Sequence, residues 1–250
     1  MCFDLDSTPP VPAIAGAAVA HEVLVLESAD GTRFAAFAAL PDAPNGIGVA
    51  ILPDVRGLYR FYEELALRFA ERGYAAIAID YFGRTAGAGK RDEDFDYMPH
   101  VKQATPAGVQ ADAAAAVAEL RARGARSVFT VGFCFGGRHS WLATAEPMGL
   151  SGGVGFYGMP GERDGVPGPT QRAGELRAPI LALMGGEDHA IGPDQVQAFD
   201  AALEEAGVEH EVVTYDGAPH SFFDRKQEEF AEASEDAWRR TLEFLEAHAR

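Results

Sequence analysis

Residues 132–137, Gly-Phe-Cys-Phe-Gly-Gly, admit few structures. The run before them, Ser127-Val128-Phe129-Thr130-Val131, is β-branched and aromatic and reads as a buried strand. After them, Arg138 to Glu146 carries Trp141, Leu142 and Ala145 at helical spacing and is closed by Pro147. Strand, tight glycine turn and helix form the setting of a Gly-x-nucleophile-x-Gly elbow, here with a thiol in place of a hydroxyl. The tip residue of such an elbow is strained, and Gly132 and Gly136 let neighbouring backbones pass without a Cβ clash. The Cys134 sulfur is therefore expected at a helix N-terminus, where unpaired N–H groups and the helix dipole favour a thiolate. A buried core cysteine is the plainer alternative, but it requires no such glycine frame.

With 250 residues, 47% of them hydrophobic, the chain can bury one large α/β core. Its 21 Lys+Arg against 38 Asp+Glu give a net charge of −17. That field disfavours nucleic acid and anionic membranes as partners, and it makes any anionic substrate depend on local arginines. The 2 cysteines, Cys2 in the N-terminal tail and Cys134 in the elbow, provide no disulfide framework, and no C-x-x-C offers a thiolate zinc or thioredoxin-like site. The start, Met1 to Asp6, is acidic where a signal peptide is basic, and Ala13 to Ala20 is too short and weakly apolar to span a bilayer. The expectation is a cytoplasmic monomer or weak homodimer acting on a small molecule, with no cofactor and no metal.

Along the chain, an irregular arm over residues 1–20, including Thr8-Pro9-Pro10-Val11-Pro12, precedes a single domain over 21–250. His21 to Leu26 and Arg33 to Leu40 flank Ala29-Asp30-Gly31 and predict an antiparallel hairpin. Strands follow at Ile47–Leu52, Ala75–Ile79, Gly153–Tyr157, Ile180–Met184 and His210–Tyr215. Helices are expected over Tyr62–Arg72, Ala107–Arg123, Pro193–Ala206 and Lys226–Ala247. The alternation predicts a mostly parallel twisted sheet with helices on both faces. Two long loops, 82–105 and 158–174, follow strands and so belong at the carboxyl edge, where such sheets place their ligands. The first is read as substrate-lining, against plain surface decoration.

An elbow nucleophile needs a base and a group that orients the base. The order nucleophile, acid, histidine of α/β-hydrolases is met by Cys134, Asp188 in Gly185-Gly186-Glu187-Asp188-His189, and His220 in Asp216-Gly217-Ala218-Pro219-His220. Glu187 competes for the acid role and His189 for the base. The oxyanion hole is expected from the N–H of Phe135 and from the loop Pro53-Asp54-Val55-Arg56-Gly57, with Val55 as donor. Asp54 then puts a carboxylate close to a developing oxyanion. Arg56 and Arg138 are further anion-binding candidates, against a reading as ordinary surface arginines.

From about His21 to the C-terminal helix the chain resembles the dienelactone hydrolase (carboxymethylenebutenolidase) family of α/β-hydrolases, anchored by the elbow, the Gly-Gly-x-Asp-His segment and the His-Ser-Phe segment. The resemblance implies a Cys134–His220–Asp188 triad that cleaves an ester or lactone through a thioester. It also implies that the oxyanion-loop acid, Asp54 where the best-known members have glutamate, acts on the thiol and gates it. Of the arginines that hold a substrate carboxylate in the family, the first maps to Arg84. The second falls on Asp224, with Arg225 one position later. Without that second arginine, a general esterase for neutral esters is the rival on the same fold. A non-catalytic binding or thiol redox-sensing module is the rival of another class.

Overall fold

A computed structural model of the chain describes residues 6–91 and 94–250, so Cys2 lies outside the described residues. The strands are β1 (Val19–Glu27), β2 (Arg33–Pro41), β3 (Ile47–Leu52), β4 (Ala75–Ile79), β5 (Ser127–Phe133), β6 (Gly152–Phe156), β7 (Ile180–Gly185) and β8 (His210–Tyr215). They form one sheet in the order β1-β2-β4-β3-β5-β6-β7-β8. The β1–β2 and β2–β4 pairs are antiparallel and all the others parallel. Strands β3 to β7 are buried at every position, as expected of strands covered on both faces. By contrast, β1 at the edge is mostly exposed.

The helices are α1 (Arg60–Ala70), α2 (Gly83–Ala86), α3 (Met98–Val101), α4 (Pro106–Ala122), α5 (Phe135–Ala143), α6 (Pro193–Glu205) and α7 (Ala231–Ala247). On one face, α1 and α7 bury Phe61, Leu65, Phe69, Phe244 and Leu245 against the sheet. On the other, α4 contributes Val109, Ala113 and Leu120, while α5 and α6 join through Trp141 and Phe199, whose ring centroids lie 4.9 Å apart. Each large side chain so buried is worth about 1.5–3 kcal/mol.

Several details differ from the sequence expectation, three of them for a physical reason visible in the structure. Helix α5 begins at Phe135 rather than Arg138, because Gly136 and Gly137, poor helix formers, are wound into its first turn by close packing on neighbouring strands. Helix α7 begins at Ala231 rather than Lys226, because the backbone of 225–226 is diverted: Arg225 N donates to Thr8 O and Lys226 N to Asp224 Oδ1. The long loop after β4 contains the short helices α2 and α3, which carry no apolar repeat long enough to read. Among the described residues no helix is long and apolar enough to cross a membrane.

Candidate active site

Strand β5 lies in the middle of the sheet between β3 and β6, with Leu52 opposite Gly132 and Phe133 opposite Phe156. The next residue, Cys134, has φ 53° and ψ −110°, a conformation a non-glycine residue adopts only under constraint. The constraint comes from crowding. A Cβ on Gly132 would lie 2.0 Å from the Gly136 carbonyl oxygen, and one on Gly136 2.0 Å from that of Leu52. Cys134 N donates to Phe156 O at 2.9 Å, pinning the turn to β6. The thiol is thus held at the N-cap of α5 and is partly exposed, while Phe133 beneath it is buried.

Past the end of β7, Asp188 is buried while Glu187 and His189 beside it are exposed. Its Oδ2 lies 2.6 Å from His220 Nδ1, on the loop after β8. Its Oδ1 accepts the N–H groups of Ala190 at 2.9 Å and Ile191 at 3.2 Å. Burial pushes the Asp188 carboxyl up, but the hydrogen bond and charge of His220 and the two backbone donors outweigh it, so the group sits below its ordinary value and stays ionised. With Nδ1–H on Asp188, His220 Nε2 is left to accept a proton. Ser221 at φ 62° turns the backbone just after His220. The other histidine near the elbow, His139, is fully buried, and burial with the neighbouring Arg138 pushes its pKa down to about 3. It is a neutral packing residue.

On the expected oxyanion loop, Val55 is partly exposed between buried neighbours, and its N–H has no acceptor among the described residues. Phe135 occupies the first turn of α5, where N–H groups lack intrahelical acceptors. Asp54 is buried and engaged by Arg56. Its Oδ1 accepts Arg56 N at 2.9 Å and Arg56 Nε at 3.1 Å, and its Oδ2 accepts Arg56 Nη2 at 2.7 Å. Burial alone would lower the Arg56 pKa, but Asp54 more than reverses this and keeps the guanidinium charged. The pair cancels the negative charge that Asp54 alone would set near an oxyanion. Arg56 and Arg138 are both buried, not surface arginines. Arg138 donates to the carbonyls of Met159, Gly161, Val166 and Pro167 and so pins the loop after β6.

Arg84, which the resemblance assigns to a substrate carboxylate, and Arg225, the neighbour of the second position, are both engaged elsewhere. Arg84 pairs with Asp112 at 2.7 Å and Asp30 at 2.9 Å. Arg225 Nη2 donates to Val11 O at 3.0 Å, while Asp224 Oδ1 accepts Thr8 N at 3.2 Å, and Lys226 pairs with Asp6 at 2.6 Å. The arm is therefore docked rather than loosely laid over the surface, with Ser7 and Val11 buried.

Three residues packed near the elbow, the loop after β3 or His220 carry no mark in the sequence. Tyr157, at φ 38° after β6, sets its ring 5.0 Å from that of His220. Tyr81 packs edge-on against Phe135 at 5.2 Å and donates to Pro53 O at 2.8 Å. Asp80, fully buried, accepts Leu58 N at 3.2 Å and Phe82 N at 2.9 Å and pairs with Arg91 at 2.8 Å, tying the oxyanion loop to the segment after β4. Aromatic residues at strand ends were visible in the sequence, but nothing local marked them as neighbours of the histidine or the elbow.

The chain has counterparts among known proteins. Residues 34–249 match the Dienelactone hydrolase family. The "Carboxymethylenebutenolidase" of Rhodococcus opacus is 28% identical over 261 residues, covering 99% of this chain and 97% of its own. A "Putative carboxymethylenebutenolidase" of Salmonella typhimurium is 30% identical over 228 residues, covering 86% of this chain and 83% of its own. The crystal structure of a "Putative Dienelactone Hydrolase" from Klebsiella pneumoniae superposes with a TM-score of 0.78 at 29% identity, over 91% of this chain and 98% of that one. The sheet with its antiparallel hairpin is the α/β-hydrolase fold of that structure, and the chain belongs to the dienelactone hydrolase family.

Proposed function

We propose that this chain hydrolyses a small ester or lactone through a thioester on Cys134. Membership of the family supports ester or lactone hydrolysis. The observation that carries the mechanism is the 2.6 Å bond from His220 to Asp188, placed in chain order behind a cysteine held at φ 53° on a helix N-terminus. His220 Nε2 takes the thiol proton, and Cys134 Sγ attacks the acyl carbon. The N–H groups of Val55 and Phe135 hold the resulting oxyanion. On collapse the C–O bond breaks, the leaving oxygen takes the proton from His220, and the acyl group stays on sulfur. A water, deprotonated by His220, attacks the thioester carbon; the C–S bond breaks, the acid leaves and the thiol regains its proton. Asp188 fixes the tautomer of His220 and stabilises its cation throughout.

The test is to quench turnover of 4-nitrophenyl acetate and look for an acetyl group on the peptide carrying Cys134. Cys134→Ala is expected to lose the adduct and to lower kcat about a thousandfold or more. Turnover retained in that variant would remove the nucleophile assignment. Thiol oxidation without any ester turnover in the wild-type protein would favour a redox-sensing role instead.

A further inference from the structure

Residues 80–84 leave β4 and pass the candidate site. Tyr81 takes the inward position, against Phe135 and the Pro53 carbonyl. Arg84 runs outward to Asp112 on α4 and to Asp30 in the β1–β2 turn. Three strand spacings, about 14 Å, separate β2 from β5. On the other flank, position 224 is a buried aspartate that holds the arm, and Arg225 beside it is turned to Val11. Nearer the elbow, Arg56 is paired with Asp54 and Arg91 with Asp80, while Arg138 commits its donors to backbone carbonyls. Aromatic rings flank these groups: Tyr81 packs on Phe135 and Tyr157 on His220.

From this charge pattern we infer that the site admits uncharged acyl groups and discriminates against esters bearing a second carboxylate, an inference that rests on the ester-hydrolase reading above. A carboxylate entering here would lose water, and each buried guanidinium it met would already be bonded. It would do so in the field of a chain of net charge −17. An uncharged acyl chain loses only apolar hydration against these aromatic rings.

Methyl hexanoate and the monomethyl ester of adipic acid differ by a terminal methyl against a carboxylate, and acid release from both can be followed in a pH-stat. Methyl hexanoate is expected to show a kcat/KM at least tenfold higher, with most of the difference in KM. Arg84→Gln, which keeps a donor for Asp112, should leave that ratio within twofold. Equal or faster hydrolysis of the half-ester overturns the inference while leaving the ester-hydrolase reading intact. So does a loss confined to the half-ester in Arg84→Gln, which would mean that Arg84 reads the carboxylate despite its ion pairs. Failure to hydrolyse either ester overturns the hydrolase reading and this inference with it.

Discussion

At the ends of β5, β7 and β8 the polar groups converge, whereas at the end of β4 and in residues 224–226 they are neutralised by partners from elsewhere in the chain. In the first region Asp188 meets His220 with both its oxygens bonded, and the thiol stands on a helix N-terminus. In the second, Arg84 lies between two carboxylates, and Asp224, Arg225 and Lys226 all turn to the arm. On the proposed mechanism, the two regions separate the bond-making groups from the groups that would read a substrate's charge. A fold can keep the first intact while the second is given over to structure.

The sharpest way to break this contrast is at the acid. Asp188→Asn is expected to fold and to lose about a thousandfold in kcat on 4-nitrophenyl acetate, because the tautomer of His220 is no longer held. Glu187→Gln, at an exposed neighbour, should change kcat less than twofold. Comparable losses in both variants would mean that the charge at His220 comes from the loop as a whole and not from one bonded carboxylate.

Next in size is the buried pair of the oxyanion loop. Asp54→Asn leaves the Arg56 guanidinium buried without its counter-charge and should destabilise the fold by about 3 kcal/mol, read from urea midpoints. If Asp54 is the partner of Arg56, iodoacetamide should label Cys134 at a rate within threefold of wild type. A gating acid predicts marked acceleration, so labelling that speeds up tenfold while stability hardly moves would support the thiol-gating role.

The same contrast explains which parts of the site could be read in the sequence. Cys134, Asp188 and His220 each follow a predicted strand within a few residues, so a strand pattern plus a glycine-bearing loop is enough to find them. The roles of the arginines depend on partners far along the chain. Arg84 meets Asp112 at a separation of 28 residues, and Thr8 meets Asp224 at 216. No local pattern encodes those pairings. Tyr157 is of the same kind, since its role rests on a backbone turn that brings its ring to a histidine on another strand's loop. The central strands were legible almost to the residue because burial on both faces leaves uninterrupted apolar runs.

A smaller effect is expected where the arm is clipped. Asp224→Ala removes the acceptor for Thr8 N and Lys226 N and should lower stability by about 1 kcal/mol. If the arm only braces this loop, kcat should stay within twofold. A large loss of kcat at unchanged stability would instead make the arm part of the machinery and blur the division between the two regions.

The smallest expected effect tests the division by pH. Asp188 and Asp112 are both buried carboxylates with basic partners, yet their pKa values move in opposite directions from the ordinary 3.8. At Asp188 burial is outweighed by His220 and two backbone N–H groups. At Asp112 burial prevails over Arg84 and Ser28 and raises the value. A lowered acid contributes stability that is full above pH 3.8 and is lost as pH falls through its folded value. A raised acid behaves inversely: its contribution is greatest below 3.8 and declines as pH rises through its folded value. Asp112→Asn, which removes the buried charge but also one ion pair of Arg84, should therefore lie within about 1 kcal/mol of wild type at pH 7. As pH falls toward 4, wild type should gain stability relative to Asp112→Asn. Relative to Asp188→Asn it should instead lose stability, most steeply as pH falls through and below 3.8. Urea midpoints of the three proteins at successive pH values decide it. Parallel pH profiles would show that the two carboxylates sit in equivalent environments, and the separation between a charge-gathering and a charge-cancelling region would lose its electrostatic basis.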